Sequence, residues 1–263
     1  MGWKATRDTL HAYCKVIGAI REAFSPAQPR YQHLSLRLYT SGLTTTPILF
    51  PGDKTRTFAL SLDLRNHYLL LSTSDGKVEQ FRLSEGVTAT ELGEVLLEKL
   101  AALGIKGKVD KKKYKNDDPR SYELDWAQKF FTALNHVGQL FEQQKAGTTG
   151  KTDPIQFWPH HFDLSFIVLG NKKVTTIEDG GNSQITIGFA PEDPGQPSAY
   201  FYVNPYPFEE ALTHKALPAG ASWHTAVWQG ALFPYSEIAE KEDGAERILG
   251  FLQAGYEAGK EVI

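Results

Sequence analysis

The chain has one cysteine, Cys14, in 263 residues, so no internal disulfide can form. Disulfide frameworks belong to oxidising compartments, and a lone thiol points instead to the cytoplasm. No apolar run approaches the roughly eighteen residues that a membrane-spanning helix needs. Charge at Lys4, Arg7 and Asp8 precedes any hydrophobic stretch, so no secretory leader is expected. The formal net charge is −3, which argues against general affinity for nucleic acid. Also missing are H-E-x-x-H, C-x-x-C, a nucleophile elbow and a glycine-rich phosphate loop, so no ready-made catalytic signature is present.

What is there is ample core and an internal echo. Hydrophobic residues make up 41% of the chain and aromatics 12%, enough for one large domain or two ordinary ones. Phe81-Arg82-Leu83-Ser84-Glu85 leads toward Leu96, Leu97 and Leu100, and Phe233-Pro234-Tyr235-Ser236-Glu237 leads toward Ile248, Leu249 and Leu252. Each pair is separated by 152 residues, as from Phe81 to Phe233. Upstream, Leu10, Cys14, Ile17, Gly18 and Ile20 match Phe130, Leu134, Val137, Gly138 and Leu140 at an offset of 120. The run from His33 to Leu38 matches that from His161 to Phe166 at 128. Helix, strand and helix recurring in one order indicate a duplication with longer loops in the second copy.

The first copy is expected to span 1–105 as helix, four strands, helix. Asp8 or Thr9 would cap a helix ending at Phe24, before Ser25-Pro26. Strands are expected at Tyr31–Tyr39, Arg56–Leu64, His67–Thr73 and Lys77–Leu83, with a turn at Asp75-Gly76. The helix from Thr90 would stop at Gly104. Residues 106–123 carry seven basic and four acidic side chains, read as a solvated linker or an anion-binding patch. The second copy, 124–263, would repeat the plan. Its helix starts at Asp125, its strands lie near His161–Leu169, Gln184–Phe189, Ser198–Asn204 and Trp223–Phe233, and its last helix begins at Ala245. Prolines and glycines, among them Pro194, Gly195 and Pro197, mark irregular loops. Short connections favour antiparallel pairing, so the class is α+β with the two halves related by a pseudo-twofold.

The segment Trp158-Pro159-His160-His161-Phe162-Asp163-Leu164 resembles the Trp-Pro-x-His-Phe-Asp-Leu signature of a bacterial domain-of-unknown-function family, number 5996. Thr9-Leu10-His11 with Ile17-Gly18, then Gly42-Leu43-Thr44-Thr45, are similar to its N-terminal half. Tyr200-Phe201-Tyr202 with Pro205, Leu232-Phe233-Pro234-Tyr235, and Phe251-Leu252-Gln253 with Tyr256 are similar to its C-terminal half. Ser165 stands where the family pattern has alanine, and Ser236 separates Tyr235 from Glu237. The resemblance implies no particular reaction.

Strand alternation would place His161, Asp163 and Ser165 on the face opposite Phe162, Leu164 and Phe166. Their repeat equivalents are His33, Ser35 and Arg37, and the two faces could line one cavity between the halves. A histidine and an aspartate two apart can ligate a divalent metal, with His33 or His224 completing the set. They can equally form a carboxylate-oriented general base, or simply satisfy the fold's own hydrogen bonds. Tyr200 and Tyr202 share a face with Asn204, and such amphipathic rings suit stacking on a sugar or another flat ligand. The leading expectation is a small-molecule-binding protein using His33, Arg37, His161, Asp163, Tyr200 and Tyr202. Its rivals are a metal-dependent hydrolase or lyase built on His161 and Asp163, and a non-catalytic interaction module.

Overall fold

The computed structural model describes residues 2–83, 86–174, 181–192, 196 and 198–263. Ser84 and Glu85 of the repeat match, and Pro194, Gly195 and Pro197 of the loops, lie outside the described residues. The chain forms two compact units: Met1–Asn135 with Gln156–Phe162, and His136–Ile155 with Asp163–Ile263. No helix among the described residues is long and apolar enough to cross a membrane.

The first unit opens with α1 (Trp3–Phe24), whose Leu10, Tyr13, Cys14, Ile17 and Ile20 recur every three or four residues and are buried. It begins well before Asp8 because its first turns are held by tertiary contacts rather than by a cap. The Thr6 hydroxyl accepts from the Glu123 amide at 3.0 Å, and the Thr9 hydroxyl donates to the Ser121 carbonyl at 2.6 Å. Residues Tyr31–Tyr39, expected as one strand, divide into a 3-10 turn, Pro29–Leu34, and β1 (Arg37–Tyr39). Buried Arg21 reaches this turn, its Nε donating to the His33 carbonyl at 2.9 Å, and the Gln28 amide donates to His33 Nδ1 at 3.1 Å. Backbone polar groups that a ladder would have used are satisfied inside the turn.

Next come β2 (Gly42–Thr44), β3 (Ile48–Phe50), β4 (Asp53–Asp63), β5 (Tyr68–Thr73) and β6 (Val78–Arg82), then α2 (Ala89–Ala102). All pairings are antiparallel in the order β1-β2-β4-β5-β6, with β3 on β4. This is more than the four strands expected, because β2 and β3 are three residues each, too short for a period of two to stand out. A reciprocal capping box of Thr88 and Glu91 starts α2, and Gly104 closes it at φ +87°. Within residues 106–123, the lysines at 111, 112 and 113 are exposed, whereas Tyr114 packs on Gly93 and the buried Tyr122 meets His67 Nδ1 at 3.0 Å.

Helix α3 (Leu124–Ala146) contributes to both units; β7 (Lys151–Thr152) belongs to the second and β8 (Gln156–Trp158) to the first, where Phe157 pairs with Leu36. The second unit continues through β9 (Asp163–Lys173), β10 (Asn182–Ala190), β11 (Tyr200–Tyr206), β12 (Ser222–His224), β13 (Gly230–Pro234) and α4 (Gly244–Gly259). Its sheet runs β12-β13-β11-β10-β9-β7 and is antiparallel. One face is apolar: Phe166, Ile185, Ile187, Phe201, Val203 and Phe233 are buried. Phe141 of α3 meets Phe166 edge-on at 5.7 Å, and Phe251 of α4 lies 5.2 Å from Phe233. Gly255 lets α4 approach closely, since a Cβ there would come within 2.8 Å of Val203. The other face carries the polar and aromatic side chains.

Candidate functional site in the second unit

Alternation starts at Asp163 and not at His161. Phe162 adopts φ +59°, and its amide donates to the Trp158 carbonyl at 2.7 Å, closing a turn before the strand. A side-chain-bearing residue in the left-handed region breaks the period of two, so the expected shared face of His161 and Asp163 is lost. His161 is exposed in that turn with its ring 4.2 Å from that of His160. His33 serves the 3-10 turn, and Arg37 sits in β1; burial first, and then the Arg37 charge, lowers Arg21 to about 10. Among the described residues, no group of three or more His, Cys, Asp and Glu side chains is gathered to hold a metal ion.

Three expected residues do come together. Cross-strand register places Ser165 opposite Gly188, Gly188 opposite Tyr202, and Tyr202 opposite Leu232. Tyr202 stands on β11 and reaches over β10 to β9, where its hydroxyl donates to Asp163 Oδ2 at 2.5 Å. Only a residue without a side chain permits this path: a Cβ on Gly188 would overlap the Tyr202 ring. Asp163 is 7% exposed. Burial first, then the Asp163 carboxylate and its hydrogen bond, push the Tyr202 phenol well above its ordinary value. Tyr202 therefore stays protonated near neutrality and acts as a fixed donor.

Tyr200 lies one pleat along, opposite Ala190 on one side and Pro234 on the other. The expected strand Trp223–Phe233 is interrupted between β12 and β13, which puts Trp228 in the connection rather than on a strand face. Its ring stacks on Tyr200 at 6.1 Å and 17°, meets Tyr202 edge-on at 6.1 Å, and lies 4.7 Å from His224. His224 Nε2 is buried and, among the described residues, has no hydrogen-bond partner. Asn204 Nδ2 donates to the Gln229 carbonyl at 2.5 Å and ties the connection back to β11.

Trp228 also forms one wall of a hollow of about 410 Å³, with Asn204, Tyr206, Phe208, Thr225 and Gln229 around it. None of its lining residues carries a full charge. A neighbouring hollow of about 400 Å³ shares Phe208, Thr225 and Gln229 and adds Glu210 and Thr213. Val227, 82% exposed, stands on the rim. Volumes of this size suit small molecules, and rings with amides and a hydroxyl beside them can stack and hydrogen-bond together. The sequence expectation did not include His224 as an aromatic neighbour or Gly188 at all. An isolated glycine within a strand, Ile187-Gly188-Phe189, was the available signal of close approach.

The architecture is thus that of an α+β protein with two mainly antiparallel sheets, one of them carrying an aromatic, uncharged hollow beside a buried tyrosine–carboxylate pair. The chain belongs to the family of unknown function DUF5996, whose model matches residues 1–263. No curated protein and no solved structure matches it.

Proposed function

We propose that this protein binds a small, uncharged, ring-containing molecule, a sugar or another flat polar ligand, in the hollow beside Trp228. The observation that carries this reading is Trp228 itself. It lines the hollow while Tyr200, Tyr202 and His224 hold its ring. A pre-ordered ring loses little freedom when a ligand stacks on it, so more of the contact free energy appears as affinity. Asn204, Thr225 and Gln229 supply donors and acceptors suited to hydroxyl groups. In this reading the Asp163–Tyr202 pair positions the platform and performs no chemistry.

The test is a panel of monosaccharides, disaccharides and nucleosides, read by thermal melting and tryptophan fluorescence. At least one compound should raise the melting midpoint in proportion to its concentration, by mass action. Trp228→Ala should abolish that shift while the far-ultraviolet circular dichroism spectrum stays unchanged. A panel without effect, or a shift that survives Trp228→Ala, rejects the reading.

We also infer that the two helix–meander–helix runs arose by duplication. Support comes from their order: α1, then β2-β4-β5-β6, then α2, against α3, then β9-β10-β11-β13, then α4. At the offset of 152, Leu96 and Ile248 are both buried, as are Leu100 and Leu252. At 120, Leu10, Cys14, Ile17 and Ile20 are buried, as are Phe130, Leu134, Val137 and Leu140.

A further inference from the structure

Another cavity lies wholly within the first unit and has different chemistry. Its volume is about 360 Å³. Lys15, Gly18, Ala19 and Glu22 contribute from one stripe of α1, at spacings of three and four. Leu34 closes it from the end of the 3-10 turn, Lys113 from the turn Lys111–Lys113, and Pro159 and His160 from the segment after β8. Glycine at position 18 lets the segment carrying Pro159 pack directly on the helix. Pro159 rests against that point of the helix, and a Cβ there would come within 2.8 Å of the proline ring.

The floor is apolar, built from Gly18, Ala19, Leu34 and Pro159, and the rim is ionic. Lys113 Nζ is committed to Glu22, at 2.6 Å from each carboxylate oxygen. Lys15 has no salt bridge or hydrogen bond among the described residues, and its charge is felt by both His11 and His160. Two ammonium groups therefore face one carboxylate beside an apolar floor, leaving one cation uncompensated. Such a rim prefers an anion, and such a floor prefers a hydrocarbon body.

We propose that this cavity binds a monoanionic amphiphile, a carboxylate attached to a compact apolar or aromatic group, with Lys15 pairing the carboxylate. The Glu22–Lys113 pair sets selectivity: it leaves room for one negative charge and repels a second. The site is separate from the uncharged hollow of the second unit and does not depend on that reading.

The test uses 2-naphthoate as probe, with 2-naphthalenemethanol as its neutral counterpart, by isothermal titration of the full chain. Naphthoate should bind saturably at one site, and the alcohol roughly tenfold more weakly, the scale of one lost charge-assisted contact. Lys15→Met should weaken naphthoate roughly tenfold and leave the alcohol unchanged, whereas Glu22→Gln should tighten naphthoate. Opposite shifts from two partly exposed positions, with unchanged circular dichroism, separate a charge effect from loss of fold. Absence of saturable binding overturns the proposal. So does equal affinity for acid and alcohol, or naphthoate affinity unaffected by Lys15→Met.

Discussion

Asp63 and Asp163 are equally buried, each 7% exposed, and each stands at one end of an eleven-residue strand. Their partners differ in kind. Asp63 closes β4 by serving its own turn: Oδ1 accepts from the Arg65 amide at 3.1 Å and the Asn66 amide at 2.8 Å, and Oδ2 from the Asn66 side chain at 2.9 Å. Asp163 opens β9 and accepts from Tyr202, 39 residues away and two strands across. One carboxylate takes three hydrogen bonds from two neighbours in sequence; the other accepts from a partner that only the folded sheet delivers. Depth of burial alone does not tell an aspartate that serves its own turn from one held by a distant strand.

The largest expected effect tests that contrast directly. Asp163→Ala removes the acceptor of a buried phenol, and hydrogen bonds to charged groups contribute about 1.5–3 kcal/mol, so a loss near the top of that range is expected in urea unfolding. Asp63→Ala should cost about 1 kcal/mol, the scale of a lost capping side chain. Asp63→Asn should be nearly neutral, because the amide oxygen still accepts from the turn. If the two alanine variants cost the same, the comparison fails. A double-mutant cycle sharpens it: Asp163→Asn and Tyr202→Phe should be strongly non-additive, whereas Asp63→Asn and Tyr202→Phe should add.

Gly188→Ala probes the path between the two partners. The added methyl displaces the Tyr202 ring, and overpacking of this kind costs about 1–3 kcal/mol, with Tyr–Trp228 contacts altered in the near-ultraviolet circular dichroism spectrum. An unchanged spectrum and midpoint would show that the ring does not need the gap.

A smaller effect concerns His11 in the first unit, another group set by tertiary contact. Its Nε2 faces the His160 carbonyl at 3.2 Å, so that nitrogen carries the proton, and the ring stacks on Phe162 at 5.0 Å. Burial chiefly, with the Lys15 charge next and Arg7 adding a little, lowers it from 6.5 to about 4, while the His160 carbonyl and Asp8 pull the other way. The unfolded chain therefore takes up this proton first. Stability from the neutral ring is present above pH 6.5 and is lost as pH falls from 6.5 toward 4. His11→Gln should flatten the fall in urea midpoint between pH 7.5 and 5. A slope as steep as that of the unmodified chain would remove His11 as its source.

The smallest expected effect is none. Cys14 is completely buried, and burial raises its thiol far above the ordinary range. Alkylation by iodoacetamide should proceed only after unfolding.

Much of this was legible in the chain. Three- and four-residue spacings located α1, α2, α3 and α4, Gly104 ended α2, and the common face of Tyr200, Tyr202 and Asn204 followed from a period of two. Those signals depend on neighbours a few residues apart, and the structure keeps them. The pairing of His161 with Asp163 did not survive, because Phe162 takes a positive φ that no short-range pattern announces. Nor did one strand over residues 31–39, where Arg21 and Gln28 draw His33 into a turn.

By itself, then, the sequence determined the α+β class, most helices and central strands, and the polar face that holds Asp163, since each follows from local periodicity. Tertiary structure decided which side chains meet. Tyr202 finds Asp163 because two strand registers, β9 on β10 and β10 on β11, bring them together over Gly188, and Trp228 meets Tyr200 because β12 and β13 part around it. A contact between residues distant in sequence depends on the summed geometry of everything between them, and no single segment encodes that sum.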